Sequence, residues 1–114
     1  MKRYRVYWTD SAIQDLAEIA RYVGKERPIV AKGLIDKIAL KSKALTTSPE
    51  RCRVVAEIAE HGLTNFRELI INPYRLIFRL ADRKIYVIAV LDGRRNIEDL
   101  LFQRLLRVSK KRTL

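Results

Sequence analysis

The side chains best suited to chemistry in this chain are a set of arginines and one carboxylate. Arg75 and Arg79 lie four residues apart in "YRLIFR". Arg67 stands in "FRELII", and Arg94 and Arg95 stand in "DGRRN". Guanidiniums projecting from rigid strands fork onto phosphate oxygens and offset charge that develops on a phosphoryl group. Arg67, Arg75, Arg79, Arg94 and Arg95 are therefore candidate phosphate- or target-binding residues. Glu57, in "RVVAEIAE", is a candidate proton acceptor. The same residue types carry a second reading, in which the arginines pair with Glu57, Glu68 and Asp92 on a wet sheet face. Both readings stand at this point. The single histidine, His61, precedes a glycine and reads as a solvated loop residue, although imidazole has the chemistry of a general base. The single cysteine, Cys52, allows no internal disulfide. One cysteine and one histidine do not supply a usual zinc set. No glycine-rich phosphate loop and no H-E-x-x-H segment occurs. No metal and no cofactor is expected.

The elements that must position these residues follow from periodicity. In Tyr74 to Leu80, Tyr74, Leu76, Phe78 and Leu80 point one way, and Arg75, Ile77 and Arg79 the other. Ile85 to Leu91 is apolar on both faces, as in a strand covered on both sides. Asp82-Arg83 turns one strand into the other, and Asn72-Pro73 joins a preceding strand, Phe66 to Ile71. "YRVYW" reads as a first strand. Thr9 or Asp10 then caps a helix whose apolar stripe is Ala12, Leu16, Ile19, Ala20 and Val23, with Gly24 as its C-cap. Pro28 opens a second helix, striped by Ala31, Leu34, Ile35, Ile38, Ser42 and Leu45. The short connection predicts a helical hairpin. Lys32, Lys37, Lys41 and Lys43 fall off the stripe, as a solvated face or as a contact for nucleic acid or the ribosome. Arg53 to Glu60 reads as a short strand. Asn96 caps a last helix with Glu98 and Asp99 in its first turn. Leu101, Phe102 and Leu105 give that helix more apolar surface than a peripheral position needs, which makes them candidates for docking a protein partner.

This order predicts an α+β fold. An N-terminal strand and a helical hairpin pack on a three- to four-stranded, mostly antiparallel twisted sheet, followed by a short C-terminal helix. The sheet's second face is left for what the core does not need, Arg75 and Arg79 included. Residues 1–108 form one domain, and 109–114 form a basic flexible tail.

Charge narrows the partners. The chain has 24 Lys+Arg against 13 Asp+Glu, a net charge of +11. Such an excess points to polyanions, or to an acidic protein that masks it. No apolar run approaches the roughly 18 residues of a membrane span. The start "MKRYRVYWTD" lacks a signal peptide's apolar stretch. A cytoplasmic protein with no membrane partner is expected.

Three blocks carry a family likeness. "YRVYWTDSAIQDLAEIARYV" resembles the opening of the ParE-like toxins, with Ala12, Asp15, Leu16, Ile19, Tyr22 and Val23 in the places of that family's first helix. "SPERCRVVAEI…NFRELIINPYRLIFRL" and "IAVLDGRRNIEDLL" are similar to its core and closing segments. The resemblance covers nearly the whole chain. It implies the RelE/ParE superfamily of type II toxin–antitoxin toxins, with a microbial-RNase-like fold. RelE-like members cleave mRNA on the ribosome, the RNA's own 2′-hydroxyl attacking the phosphate; ParE-like members poison DNA gyrase and are not enzymes. By the resemblance, Arg75 matches the nucleases' phosphate-stabilising arginine and Glu57 the base of one branch, while Arg95 keeps a basic position. These three are the catalytic candidates if the protein is a nuclease. The histidine of one branch is replaced by Asp92 or Gly93. The lysines and tyrosine of the other fall near Phe66, Glu68 and Leu101. Proton transfer is thus incomplete under either scheme. The resemblance implies a ParE-like gyrase inhibitor, with a ribosome-dependent mRNA endonuclease or an inactive binding module as alternatives. It implies a cognate acidic antitoxin as partner, and operator DNA bound only through that antitoxin.

Overall fold

The segment around Arg75 is the middle of a sheet. In the computed structural model, which describes residues 3–113 and the side chains of 3–106, the elements are β1 (Arg5–Trp8), α1 (Asp10–Gly24), α2 (Pro28–Ser42), β2 (Arg53–Val54), α3 (Ala56–Ala59), β3 (Phe66–Ile71), β4 (Tyr74–Ala81), β5 (Lys84–Asp92) and α4 (Ile97–Thr113). Two short 3-10 turns lie between α2 and β2. The strand order is β1-β5-β4-β3-β2. β1 runs parallel to β5, and the other neighbours are antiparallel. The fold is α+β as expected. Among the described residues the sheet has five strands, because β1 and the two-residue β2 both join its edges.

Local chemistry explains most boundaries. The Thr9 hydroxyl accepts from the Ala12 N–H at 3.2 Å and donates to the Val87 carbonyl at 2.9 Å, capping α1 and tying it to β5. Pro28 is the first residue of α2, where its missing N–H costs nothing. Asn96 Oδ1 accepts from the Asp99 N–H at 3.2 Å and caps α4. Asp82 takes φ 56° in the two-residue turn between β4 and β5.

Three expectations need correction. Gly24 is not a C-cap: it lies inside α1, and Lys25 follows in right-handed helical geometry. A Cβ on Gly24 would stand 3.4 Å from the Ala31 Cβ, so the glycine marks close approach of α1 and α2. Arg53 to Glu60 is not one strand. Pairing stops after Val54, and α3 makes one helical turn, because Val55 and Ile58, three residues apart, are both wholly buried. The second sheet face is not a leftover face. Leu76, Phe78, Val87 and Val90 pack against α1 and α2 through Ala12 and Ile38. On the other side Ile77, Ile88 and Ala89 form a second core with Val55, Ile58, Ile97 and Leu101, closed by α3 and α4. A register step between β4 and β5, with Ile77 opposite Ala89 and Phe78 opposite Val87, leaves Ile88 as an extra residue. α4 runs to Thr113. The expected basic tail, 109–114, lies outside the residues whose side chains are described.

β1 ends at Trp8, so among the described residues no strand pairs with β5 beyond Val87 on that side. Two charged side chains take over. Asp15 on α1 accepts from the Val90 N–H at 3.0 Å. Arg104 on α4 donates to the Ile88 carbonyl at 2.7 Å and to both Asp15 oxygens at 2.9 Å. Each side chain is 11% exposed. The pair joins helices from opposite faces of the sheet and satisfies the Val90 N–H and the Ile88 carbonyl at its unpaired edge. Removing one partner leaves a buried charge uncompensated. Arg104→Ala is expected to lower the unfolding free energy by about 3 kcal/mol in urea titrations, against about 0.5 kcal/mol for an ordinary surface substitution.

Candidate functional site

Arg75 is the second residue of β4, the central strand, on the face covered by α3 and α4. Its register partners are Ile70 on β3 and Leu91 on β5. Its Nη1 and Nη2 donate to the two Glu57 oxygens at 2.6 and 2.8 Å. Its Nε donates to Glu68 Oε1. Glu68 Oε2 accepts from Arg53 Nε at 2.7 Å. The side chains of Arg75, Glu68 and Glu57 are 11%, 2% and 34% exposed. Arg53, Glu68, Arg75 and Glu57 thus form a row of alternating sign spanning β2, β3, β4 and α3. Each buried charge has two bonds from the opposite sign or a bidentate one, the condition under which charges tolerate burial.

Placement on the elements explains the geometry. Glu68 faces Ile77 and Arg53 in register and so shares their side of the sheet. Glu57 arrives from the single turn of α3, with Ile58 anchored in the second core. Gly93 closes the far side. Its N–H donates to the Pro73 carbonyl at 2.8 Å, and a Cβ there would sit 3.1 Å from Arg75 Cδ and 3.2 Å from Cγ. The arginine stem runs through space that only glycine leaves free.

The electrostatics follow from the bonds. The two bonds from Arg75 hold the Glu57 carboxyl below its ordinary pKa, against the opposing effect of burial. The same bonds push the Arg75 guanidinium up. A carboxylate so held is a weak base at neutral pH. The fork of Arg75 is directed at protein oxygens, and all three nitrogens donate internally. Asp92, at the end of β5, is held down to about 2 by Arg94, which bonds it through its side chain at 2.9 and 2.6 Å and through its backbone N–H at 2.9 Å.

The other candidate arginines do not gather around Arg75. Arg67 is opposite Phe78, on the helical-hairpin side, where its Nη1 donates to the Cys52 carbonyl at 2.7 Å. Arg79 shares the Arg75 face but lies over the Tyr86 ring, 4.9 Å from its centroid. Arg94 and Arg95 line a groove of about 330 Å³ between α1 and the end of β5, with Glu18, Tyr22 and Tyr74. Leu101 is wholly buried in the second core, and Phe102 and Leu105 pack against that core. Leu101 is therefore not a surface group. His61 is not simply solvated: its Nε2 lies 2.8 Å from Glu98 Oε2 and its ring meets Phe102 edge-on at 5.0 Å. Among the described residues no group of three or more His, Cys, Asp or Glu side chains could hold a metal ion. The Asp15–Arg104 pair is absent from the sequence reading. Its signal was a charge of opposite sign on the apolar stripe of each helix.

Two outcomes test this geometry. Arg75→Met keeps bulk but leaves buried Glu68 with Arg53 alone and Glu57 with no guanidinium, and is expected to cost about 3 kcal/mol in urea unfolding. The sign of the Glu57 contribution follows from its lowered folded pKa. Its stabilisation is present above the unfolded-state pKa and is lost as pH falls through the folded one. The stability difference between the parent and Glu57→Gln should therefore be largest near pH 7 and shrink on acidification below about pH 4.

Comparisons with known proteins agree with this architecture. A family model described as "ParE toxin of type II toxin-antitoxin system, parDE" matches residues 6–97. A solved chain of the chromosomal ParDE TA system from P. aeruginosa is 22% identical, with a TM-score of 0.62, covering 77% of this chain and 94% of that one. A chain of the toxin-antitoxin complex RelBE2 from Mycobacterium tuberculosis is 19% identical, with a TM-score of 0.56, covering 81% and 93%. At such identities these two likenesses show a shared fold. No curated protein sequence matches the chain. The family match runs from β1 to the start of α4 and takes in the whole of the Arg75 cluster, and the chain belongs to the ParE toxin family of type II toxin–antitoxin systems.

Proposed function

We propose that this ParE-type toxin arrests growth by binding a macromolecular target, DNA gyrase, and not by cutting RNA. The observation that carries the reading is the engagement of every Arg75 nitrogen by a protein carboxylate. Cleavage of RNA by its own 2′-hydroxyl needs a base, a cation on the scissile phosphate and an acid for the leaving oxygen. Arg75 spends its three donor nitrogens on Glu57 and Glu68. Glu57 is held as a carboxylate by the same bonds. Asp92 is held ionised to about 2, so it is no acid at neutral pH. Arg67 and Arg95 lie on other parts of the molecule.

A cognate acidic antitoxin neutralises the toxin in this reading. The two solved structures compared above belong to toxin–antitoxin systems, and the +11 charge favours an acidic partner. Tyr22, Ile29 and Leu40, 83%, 87% and 68% exposed on α1 and α2, supply apolar surface for it in place of the buried Leu101. Operator DNA is reached through the antitoxin. No described helix is long and apolar enough to cross a membrane.

The test is a pair of assays with purified toxin. Gyrase supercoiling is expected to be inhibited, with activity restored by the antitoxin. Primer extension on ribosome-bound mRNA is expected to show no new stops. New cuts in translated mRNA with supercoiling untouched would overturn the reading in favour of the nuclease branch.

A further inference from the structure

One region of the sheet's outer face lies at the margin of the second core, which Tyr86 borders, and outside the Arg75 cluster. It lies toward the β4–β5 turn. Tyr7 on β1 is in register with Tyr86 on β5, which is in register with Arg79 on β4. The tyrosine rings stack with centroids 5.5 Å apart and planes at 20°. The Arg79 guanidinium sits over Tyr86 at 4.9 Å. Guanidinium, ring and ring therefore form a stacked column across three strands, and the ring at its end, Tyr7, is 40% exposed. Arg5 and Lys84, also in register, are exposed beside it, and Arg83 is exposed in the adjoining turn. Among the described residues none of Arg5, Arg79, Arg83 and Lys84 forms an ion pair. Asp82 offsets one charge of this rim.

We propose that the Tyr7–Tyr86–Arg79 row is a stacking platform for single-stranded RNA. An unpaired base stacks on Tyr7, and the phosphates follow Arg5, Arg83 and Lys84. Every base has a π face, so the contact tolerates sequence. A base that continues the column beyond Tyr7 must be unpaired, since duplexes keep their bases stacked internally, so a single strand is the fitting occupant. The hydroxyl of exposed Tyr7 favours RNA over DNA, because a ribose 2′-hydroxyl can both donate to and accept from it. The platform binds and does not cut. It is independent of the gyrase reading and shares no residue with the Arg75 clamp.

The test is fluorescence anisotropy with the full chain and labelled oligouridine of about ten nucleotides, the matching oligodeoxythymidine, and a duplex. RNA is expected to bind tighter than the DNA strand, and the duplex weakest. Tyr7→Leu keeps apolar packing and removes the stacking ring, and is expected to weaken RNA binding about tenfold at an unchanged melting temperature. Lys84→Ala should lower the salt slope of log affinity by about 0.7. Tyr7→Phe should keep most of the affinity while narrowing the preference for RNA over DNA. Binding by Tyr7→Leu within about twofold of the parent overturns the platform, since stacking contributes more than that per base. Equal affinity for RNA and DNA overturns the RNA assignment. If Tyr7→Leu unfolds, Tyr7→Phe decides: an unchanged preference for RNA overturns the proposal.

Discussion

The outer face of the sheet depends on one guanidinium held between two carboxylates. Glu68 is almost fully buried on β3, and a carboxylate there is tolerable only beside compensating cations. Arg75 supplies one and Arg53 the other. Through Glu68 the clamp fixes β2, which has only two residues of backbone pairing. Through Glu57 it fixes α3, one turn that would not persist alone. The positioning of Glu57 therefore depends on the same arginine whose charge it cancels. A residue type suited to holding phosphate serves here to join four elements, and the geometry that makes it a strong joint also sets two carboxylates against an outside anion.

Much of the fold was legible in the sequence. Alternation in β4, the unbroken apolar run of β5, Thr9, Pro28 and Asn96 each act through local geometry, and each lands where its chemistry requires. What escaped is what depends on contacts distant in sequence. Ala56 to Ala59 became a helical turn because Val55 and Ile58 had to enter a core formed by α4, some forty residues onward. The second core was missed because Arg75 and Arg79 made that face look wet, although Ile77 between them was already apolar. The arginines were read as one set from their strands. Strand register then placed Arg67 on the other face, and the β5 terminus carried Arg94 and Arg95 to the α1 side. The pairing of arginines with Glu57, Glu68 and Asp92 was one of the two readings open from the sequence. Only side-chain reach separates it from an empty phosphate site, and spacing does not encode that.

The positive charge is distributed accordingly. Arg75 and Arg104 are internal joints, each neutralised by carboxylate. The exposed excess lies on α2, around the β4–β5 turn and at the end of β5. Charges that hold the fold and charges available to partners are thus separate populations. Net charge alone predicts polyanion affinity, while the geometry removes the most conspicuous arginine from that pool.

The claim that Arg75 is an internal joint is tested most directly by NMR of its side-chain Nε–H in ¹⁵N-labelled toxin. At neutral pH the account predicts a slowly exchanging resonance that does not move as inorganic phosphate is added to millimolar levels, because Nε donates to Glu68 and both terminal nitrogens donate to Glu57. A saturable shift of that resonance in the parent protein would show that the fork opens to phosphate, and would contradict the account.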